Sequence, residues 1–443
     1  MTATRKQNTL LRSLLDEAGW SGESLASAVN ALGRESGLAL SYRRPSVAQW
    51  LAGSVPRPPV PGLVAEAFSR RLGRVVTVAQ AGLGPSSSGP ADDGNRLAVL
   101  LAEATSRPPY LLSGLRTVPT VLTGRLTTVG TVGPGAARLT VAHHQAVDDM
   151  TALLSSADQQ LGAGAVRRTL CSYFQQTVVP WLSLPGAPAS RRALFRSAAG
   201  LAYLGGFVHF DDRLQGSAQH WYRLSAALAD EAADQRTLAV ALRALSVQAR
   251  SLGHYGAALR LAESAVALGT GLGAVESAFL EGQRAVALAA RGDRTACLAS
   301  LTRTELYLSR AEDGSTTATG VYNEASLAYQ RAAVCRHLGD ARGAVTAMAS
   351  AVRLRPAHER RSHALTLARL AELHYAEGEL EAACATWQQF LRSGATVSSA
   401  RLAHAGATMR AALVPHQRHT DARDLLIALR RGAAGSPPQG WSR

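Results

Sequence analysis

Residues 327–356 read LAYQRAAVCRHLGDARGAVTAMASAVRLRP. Gly339-Asp340 divides this stretch into two amphipathic runs and reads as a tight turn between two helices. Ala332 lies seven residues before the glycine, Ala344 five after it and Met348 nine after it. A small residue on each helix lets the two backbones approach closely, and the larger one wedges into the next pair. Pro356 ends the unit, because proline cannot continue a helix. The same arrangement returns around Gly253, Gly292 and Gly378. Ser246, Ala285 and Ala371 take the first small position, and Ala258, Cys297 and Ala383 the second. Ala262, Leu301 and Trp387 take the third position. Asp293, directly after Gly292, caps the helix that follows. One helix pair cannot bury its apolar face alone, so stacking is required. Thr237 to Leu391 therefore reads as an α-solenoid.

The pattern resembles tetratricopeptide repeats. The glycines are 39, 47 and 39 residues apart, against a usual period of roughly 34, so helices or loops are extended. Degenerate pairs flank the clear ones. Upstream, Val141–Leu161 and Val166–Val179 are joined by the turn Gly162-Ala163-Gly164. Ala193–Val208 then pairs with Ala218–Ala229. Gly205, Gly206 and Ala218 are the close-contact positions of that pair, and Trp221-Tyr222 is its wedge. Downstream, Arg401–Leu413 and Thr420–Arg430 form a more polar pair that caps the stack. The solenoid spans 139–431, and 432–443 reads as a disordered tail.

Composition agrees with helices. Apolar residues make up 47% of the 443-residue chain and aromatics only 5%, a mix that favours helices packed through small side chains. The length implies two or three domains. The net charge is +15, and every basic residue except Lys6 is arginine. Arginine binds phosphate bidentately, so a polyanionic partner is expected, although a compositional arginine bias also produces such a charge. Cys171, Cys297, Cys335 and Cys384 are far apart and form no C-x-x-C pair, which suits small apolar thiols in a reducing cytoplasm. No leader-like apolar segment or membrane-length apolar run is present, so neither secretion nor a membrane span is expected.

The first 81 residues read as four short helices. Leu10, Leu11, Leu14 and Leu15 mark the inner face of the first, and Ser21 caps the second. The third follows Arg43-Arg44-Pro45, with Val47, Trp50 and Leu51 inward and Ser46 and Gln49 outward. Leu63, Val64, Ala67 and Phe68 line the fourth. Residues 1–84 carry ten Lys/Arg and five Asp/Glu, a net +5. Ser46-Val47-x-x-Trp50-x-x-Gly53 resembles the recognition helix of Xre/Cro-type helix-turn-helix domains. That resemblance implies that Ser46 and Gln49 meet base edges or phosphates in the major groove, and that Arg43, Arg44 and Arg57 meet the backbone. Val47 and Trp50 would be core. The connection from Gly33 to Arg44 departs from the pattern, being about ten residues longer than a three- or four-residue turn.

Residues 82–95 (GLGPSSSGPADDGN) read as a flexible linker, and 96–138 as an irregular connector. Leu111 to Val132, rich in Thr, Val, Leu and Gly, is the one place where strands are plausible. Taken whole, the chain resembles a group of actinobacterial regulators with an Xre-like domain, a connector and a tetratricopeptide-like solenoid. Asp158…Leu161-Gly162-Ala163-Gly164 and Gly206…Ala218…Trp221-Tyr222 carry that likeness, with Ala163 interrupting the usual run of glycines. The likeness implies control of differentiation and secondary metabolism.

Catalytic signals are weak. His143-His144-Gln145-Ala146-Val147-Asp148-Asp149 resembles the His-His-x-x-x-Asp-Gly motif of condensation-type acyltransferases, which would make His144 a general base. The final glycine is missing and the flanks have helical spacing. No phosphate loop or nucleophile elbow occurs, and His358, Glu359 and His363 read as a solvated helix start rather than a metal cluster. No enzyme, cofactor or metal is expected. A solenoid groove suits a peptide, small-molecule or protein effector, and Tyr322, Asn323, Tyr329 and Gln330 are the groove candidates. The expectation is an all-α cytoplasmic regulator that binds double-stranded DNA as a homodimer. The alternative is an interaction scaffold that does not bind DNA.

Overall fold

The computed structural model describes residues 7–36, 38–84, 100–101, 108–115, 138–311, 322–356 and 358–435. Among these residues the chain is helical throughout, without strands, and its helices follow one another as packed pairs. It is an α-solenoid preceded by a small helical cluster. Two compact units divide it. The first holds 1–151, 169–210 and 214–268; the second holds 152–168, 211–213 and 269–443. This division does not follow the expected boundaries at 81 and 139.

The small cluster comprises α1 (Thr9–Ala18), α2 (Gly22–Glu35), α3 (Arg44–Leu51) and α4 (Val60–Leu72). Asn8 caps α1 by accepting from the Leu11 N–H, and Ser21 caps α2 by accepting from Ser24. The apolar stripes close on one core that includes Leu11, Leu25, Val29, Val47, Trp50, Leu63 and Phe68. Leu10 departs from its expected place and is 52% exposed. The buried stripe is Leu11, Leu14, Leu15 and Ala18, and Leu10 falls outside that spacing. The core also takes in Ala81 and Leu83, and the Asn8 side chain donates to the carbonyls of Ala81 and Gly82. The cluster therefore runs past 81, and Gly82 belongs to it rather than to a linker. Leu83 and Gly84 are described as well, and residues 85–95 of the expected linker lie outside the described residues. So does most of the segment where strands were plausible; its described start, Leu112–Leu115, is a short 3-10 turn.

In the first unit, α8 (Pro188–Asp211) meets α9 (Gln215–Glu231) at the expected glycines. A Cβ on Gly205 would stand 2.4 Å from the Trp221 ring, and one on Gly206 would stand 2.3 Å from Tyr222. The earlier helices are α5 (Val141–Leu161) and α6 (Ala163–Tyr173), of which residues 152–168 belong to the second unit, and α7 (Val179–Leu182). A π-turn at Phe174–Val178 joins α6 to α7. Next come α10 (Gln235–Ser251) and α11 (Tyr255–Leu268), packed as a pair.

The second unit holds four more pairs: α12 (Ala274–Ala290) with α13 (Arg294–Ser309), α14 (Glu324–His337) with α15 (Ala341–Leu354), α16 (Arg360–Ala376) with α17 (Leu380–Gly394), and α18 (Ala400–Leu413) with α19 (Thr420–Gly435). Gly253, Gly292, Gly339 and Gly378 all have positive φ, between 80° and 84°, the conformation that ends a helix most cheaply at glycine. Every small or wedge position named around them is buried. Asp293 and Asp340 accept from Ala296 and Gly343 N–H, capping the second helix of their pairs.

Candidate nucleic-acid interface

Four local contacts set the third helix of the cluster. The α2–α3 connection runs from Ser36 to Arg43, so α2 is longer than expected but the turn is still not tight. The Asn30 carboxamide holds this connection in place. It donates to the Tyr42 carbonyl and accepts from the Tyr42 N–H, both at 2.8 Å. Tyr42 then meets Trp50 edge to face, with ring centroids 5.1 Å apart. Leu40 packs so close to Gly33 that a Cβ there would stand 2.6 Å from it. At the far end of α3, the Leu51 carbonyl accepts from the Asn8 N–H at 2.8 Å.

These anchors bury Val47 and Trp50 and turn the opposite face outward. Arg43, Arg44, Gln49 and Arg57 are exposed, and Ser46 is half-buried. Arg70 and Arg71 at the end of α4, and Arg74 just past it, are placed differently. Arg70 bonds Glu66 and Glu35 at 2.9 Å, and Arg74 pairs with Glu17 at 2.6 Å. Arg71 donates to the Ala18 carbonyl at 3.0 Å and lies over the Trp20 ring. Four of the five acidic residues in 1–84 lie beside these groups or on α1. The fifth, Glu23, accepts from the Arg44 N–H at 3.0 Å. The side chains of Arg43, Arg44 and Arg57 form no ion pair among the described residues. Arg12 on α1 and Arg34 on α2 are likewise exposed without an ion pair among the described residues, so α3 and its flanks carry three of the unneutralised cations of the cluster rather than all of them.

Glu23 also occupies one orphan donor at the start of α3. An anion at that helix end would meet a carboxylate already bonded there, so the helix terminus itself is a poor anion site.

Residues 11–84 match the family model of the SP15 N-terminal domain. The match begins at the first buried leucine of α1 and ends just past Leu83, the last core residue of the cluster. No curated protein compared with the chain matches it.

The expected effector groove does not assemble. Tyr322 and Gln330 are buried, and the Tyr322 hydroxyl donates to Gln330 Oε1 at 2.5 Å. Both pack over Gly282, where a Cβ would stand 1.9 Å from Gln330 Oε1. Asn323 caps α14 by accepting from the Ser326 N–H. Tyr329 is half-buried beside Arg369. These four residues are core, cap and core edge, because the inner-type helix that bears them is covered by α12.

The histidine motif lies along the first turns of α5. His143 stands at the start of α5 against Thr140 and the Trp181 ring. His144 faces Asp148 one turn along, at 3.8 Å. His358 is exposed, and Glu359 pairs with Arg355 at 2.9 Å. No metal-binding group occurs among the described residues. No described helix is long and apolar enough to cross a membrane.

The sequence reading missed Asn30, Glu23, Glu66 and Arg70, which position or neutralise the cluster. Asn30 carried a usable signal: a carboxamide on the inner half of a helix directly before an over-long connection is well suited to satisfy that connection's backbone.

Proposed function

We propose that the chain is a DNA-binding transcriptional regulator. Its N-terminal cluster presents α3 to the major groove, and its solenoid dimerises or receives a peptide, small-molecule or protein effector. The observation that carries this reading is the sorting of arginines. Arg70, Arg71 and Arg74 are spent on carboxylates and a carbonyl, whereas Arg43, Arg44 and Arg57 form no ion pair among the described residues and lie around the outward face bearing Ser46 and Gln49. Unpaired arginines supply phosphate contacts, and short polar side chains between them read base edges. One short helix gives limited specificity, so the regulator acts as a dimer on paired half-sites. Its place of action is the cytoplasm, and its expected targets are genes of differentiation and secondary metabolism.

Glu23 and the open α2–α3 connection favour a second reading, in which the cluster binds an acidic protein and the chain is a scaffold without a DNA target. Genome-wide recovery of DNA bound to the full-length protein separates the two. Discrete enriched sites that disappear in the Arg43→Ala/Arg44→Ala variant support the regulator. Recovery of a defined acidic protein without enriched DNA overturns it.

A further inference from the structure

Within the first unit, residues Pro108–Leu115 lie between α4 and the helices α9 and α11, and successive residues bond to opposite sides. Glu66 Oε2 accepts from the Leu112 N–H at 2.8 Å, and Arg70 donates to the Tyr110 carbonyl at 3.1 Å. The Arg70 guanidinium also lies 5.5 Å from the Tyr110 ring centroid. Both contacts belong to α4. Leu111, between them, turns the other way. Its N–H donates to Gln219 Oε1 at 2.8 Å and its carbonyl accepts from Gln219 Nε2 at 2.7 Å. The Tyr110 ring stacks on His254, at the start of α11, with centroids 5.7 Å apart and planes 4° from parallel. On α9, a Cβ at Gly216 would stand 1.7 Å from the Pro108 carbonyl oxygen.

The Gln219 carboxamide and the Glu66 carboxylate bond this backbone just where it enters the 3-10 turn Leu112–Leu115. Three consecutive residues are thereby fixed to two different helices, and neither helix can shift without moving the backbone bonded to the other.

We propose that Pro108–Leu115 is a mechanical coupler that makes α4 and α9 move and open together, so that the cluster bearing α3 takes its orientation from the first solenoid helices rather than hanging on a free tether. The consequence for DNA rests on the regulator reading above; the coupling itself does not. An effector that displaces α9 or α11 is felt at α4, and by reciprocity an occupant of the cluster is felt at α9.

Hydrogen exchange on the full-length protein tests this without DNA. Gln219→Leu removes both bonds to Leu111. It is expected to raise exchange on the order of tenfold in 108–115 and also in α4, which Gln219 does not touch. Glu66→Gln works from the other side and is expected to raise exchange in 108–115 and in α9. A rise confined to 108–115 and the mutated helix, in either variant, overturns the coupler. If Gln219→Leu does not fold, Gly216→Ala displaces Pro108 by collision and is read in the same way. Because no DNA enters the measurement, failure of the regulator reading and failure of the coupler are distinguishable.

Discussion

The carbonyl oxygen of Ser398 stands 2.2 Å from where a Cβ on Gly162 would be. The two backbones clasp there: the Ser398 N–H donates to the Leu161 carbonyl at 2.7 Å, and the Ser398 carbonyl accepts from the Gly164 N–H at 3.1 Å. Gly162 has φ +89°, so alanine at this position meets both backbone strain and a collision. Gly162→Ala is expected to cost on the order of 3–5 kcal/mol. Gly378 has φ +81° with nothing within 4 Å of its Cβ position, and Gly378→Ala is expected to cost only about 1–2 kcal/mol. Chemical denaturation of the two variants checks the difference; equal losses would show that Ser398 does not hold the turn.

Close to that clasp, Arg361 and Asp158 are both almost fully buried and meet at 2.5 Å. Arg361 Nε and Arg401 each lie 3.8 Å from Asp211 Oδ1. Burial pushes the Asp158 carboxyl above its ordinary range and Arg361 opposes that rise. Removing one partner strands a buried charge, so Arg361→Met is expected to destabilise by about 3–5 kcal/mol. Adding Asp158→Leu to Arg361→Met removes one of the two carboxylates that lose Arg361, while Asp211 keeps Arg401 at 3.8 Å, and is expected to restore part of the loss. Thermal unfolding of both variants measures it; a double variant no better than the single one contradicts the account.

His254 gives a pH prediction. Burial, with the Arg70 charge adding to it and Glu35 opposing it, lowers the imidazole from 6.5 to about 4. The unfolded chain then binds a proton that the folded chain refuses between these values. Stability from this group is complete above about pH 6.5 and is lost as pH falls towards about 4. His254→Phe keeps an aromatic ring on Tyr110 and removes the titration. Its stability relative to the wild type is expected to improve steadily as pH falls from 6.5 to 4 in denaturant titrations. A difference that does not change with pH would remove His254 from the acid response.

How much of this was legible follows from distance along the chain. The turns at Gly253, Gly292, Gly339 and Gly378 could be read because glycine, cap and small residues lie within one helix pair. The outward face of α3 could be read because Val47 and Trp50 mark its inner face at helical spacing. The Asn30–Tyr42 bonds, twelve residues apart, left a signal in the over-long connection after α2. The Gly162–Ser398 clasp and the strap bonded to Glu66 and Gln219 could not be read. Each is a polar contact across an unpredictable sequence separation, the first between backbones and the second through side-chain types that are usually solvent-exposed. The groove reading of Tyr322, Asn323, Tyr329 and Gln330 failed for the same reason. Polar side chains on an inner-type helix look available until the helix that covers them is placed.

The face of α3 offers the sharpest functional contrast. Arg43 and Arg44, at the start of α3, are exposed cations without an ion pair among the described residues, whereas Gln49, farther along α3, is an exposed neutral amide. If Arg43 and Arg44 meet phosphates, replacing both with alanine weakens binding to every duplex alike. It also lowers the slope of log affinity against log salt by about two, one for each contact. If Gln49 meets a base edge, Gln49→Ala leaves the salt slope unchanged and reduces discrimination at one base pair by about 1–3 kcal/mol. Titration of recovered target sites and single-base variants, at several salt concentrations, measures both quantities in one experiment. A Gln49 variant that lowers the salt slope, or an Arg43/Arg44 variant that alters base preference at one position alone, would reverse the assigned roles. Asn30→Ala provides the control for positioning. It frees the Tyr42 backbone that α3 leans on, and so it is expected to weaken binding and base discrimination together, with no change in the number of charges that meet the duplex.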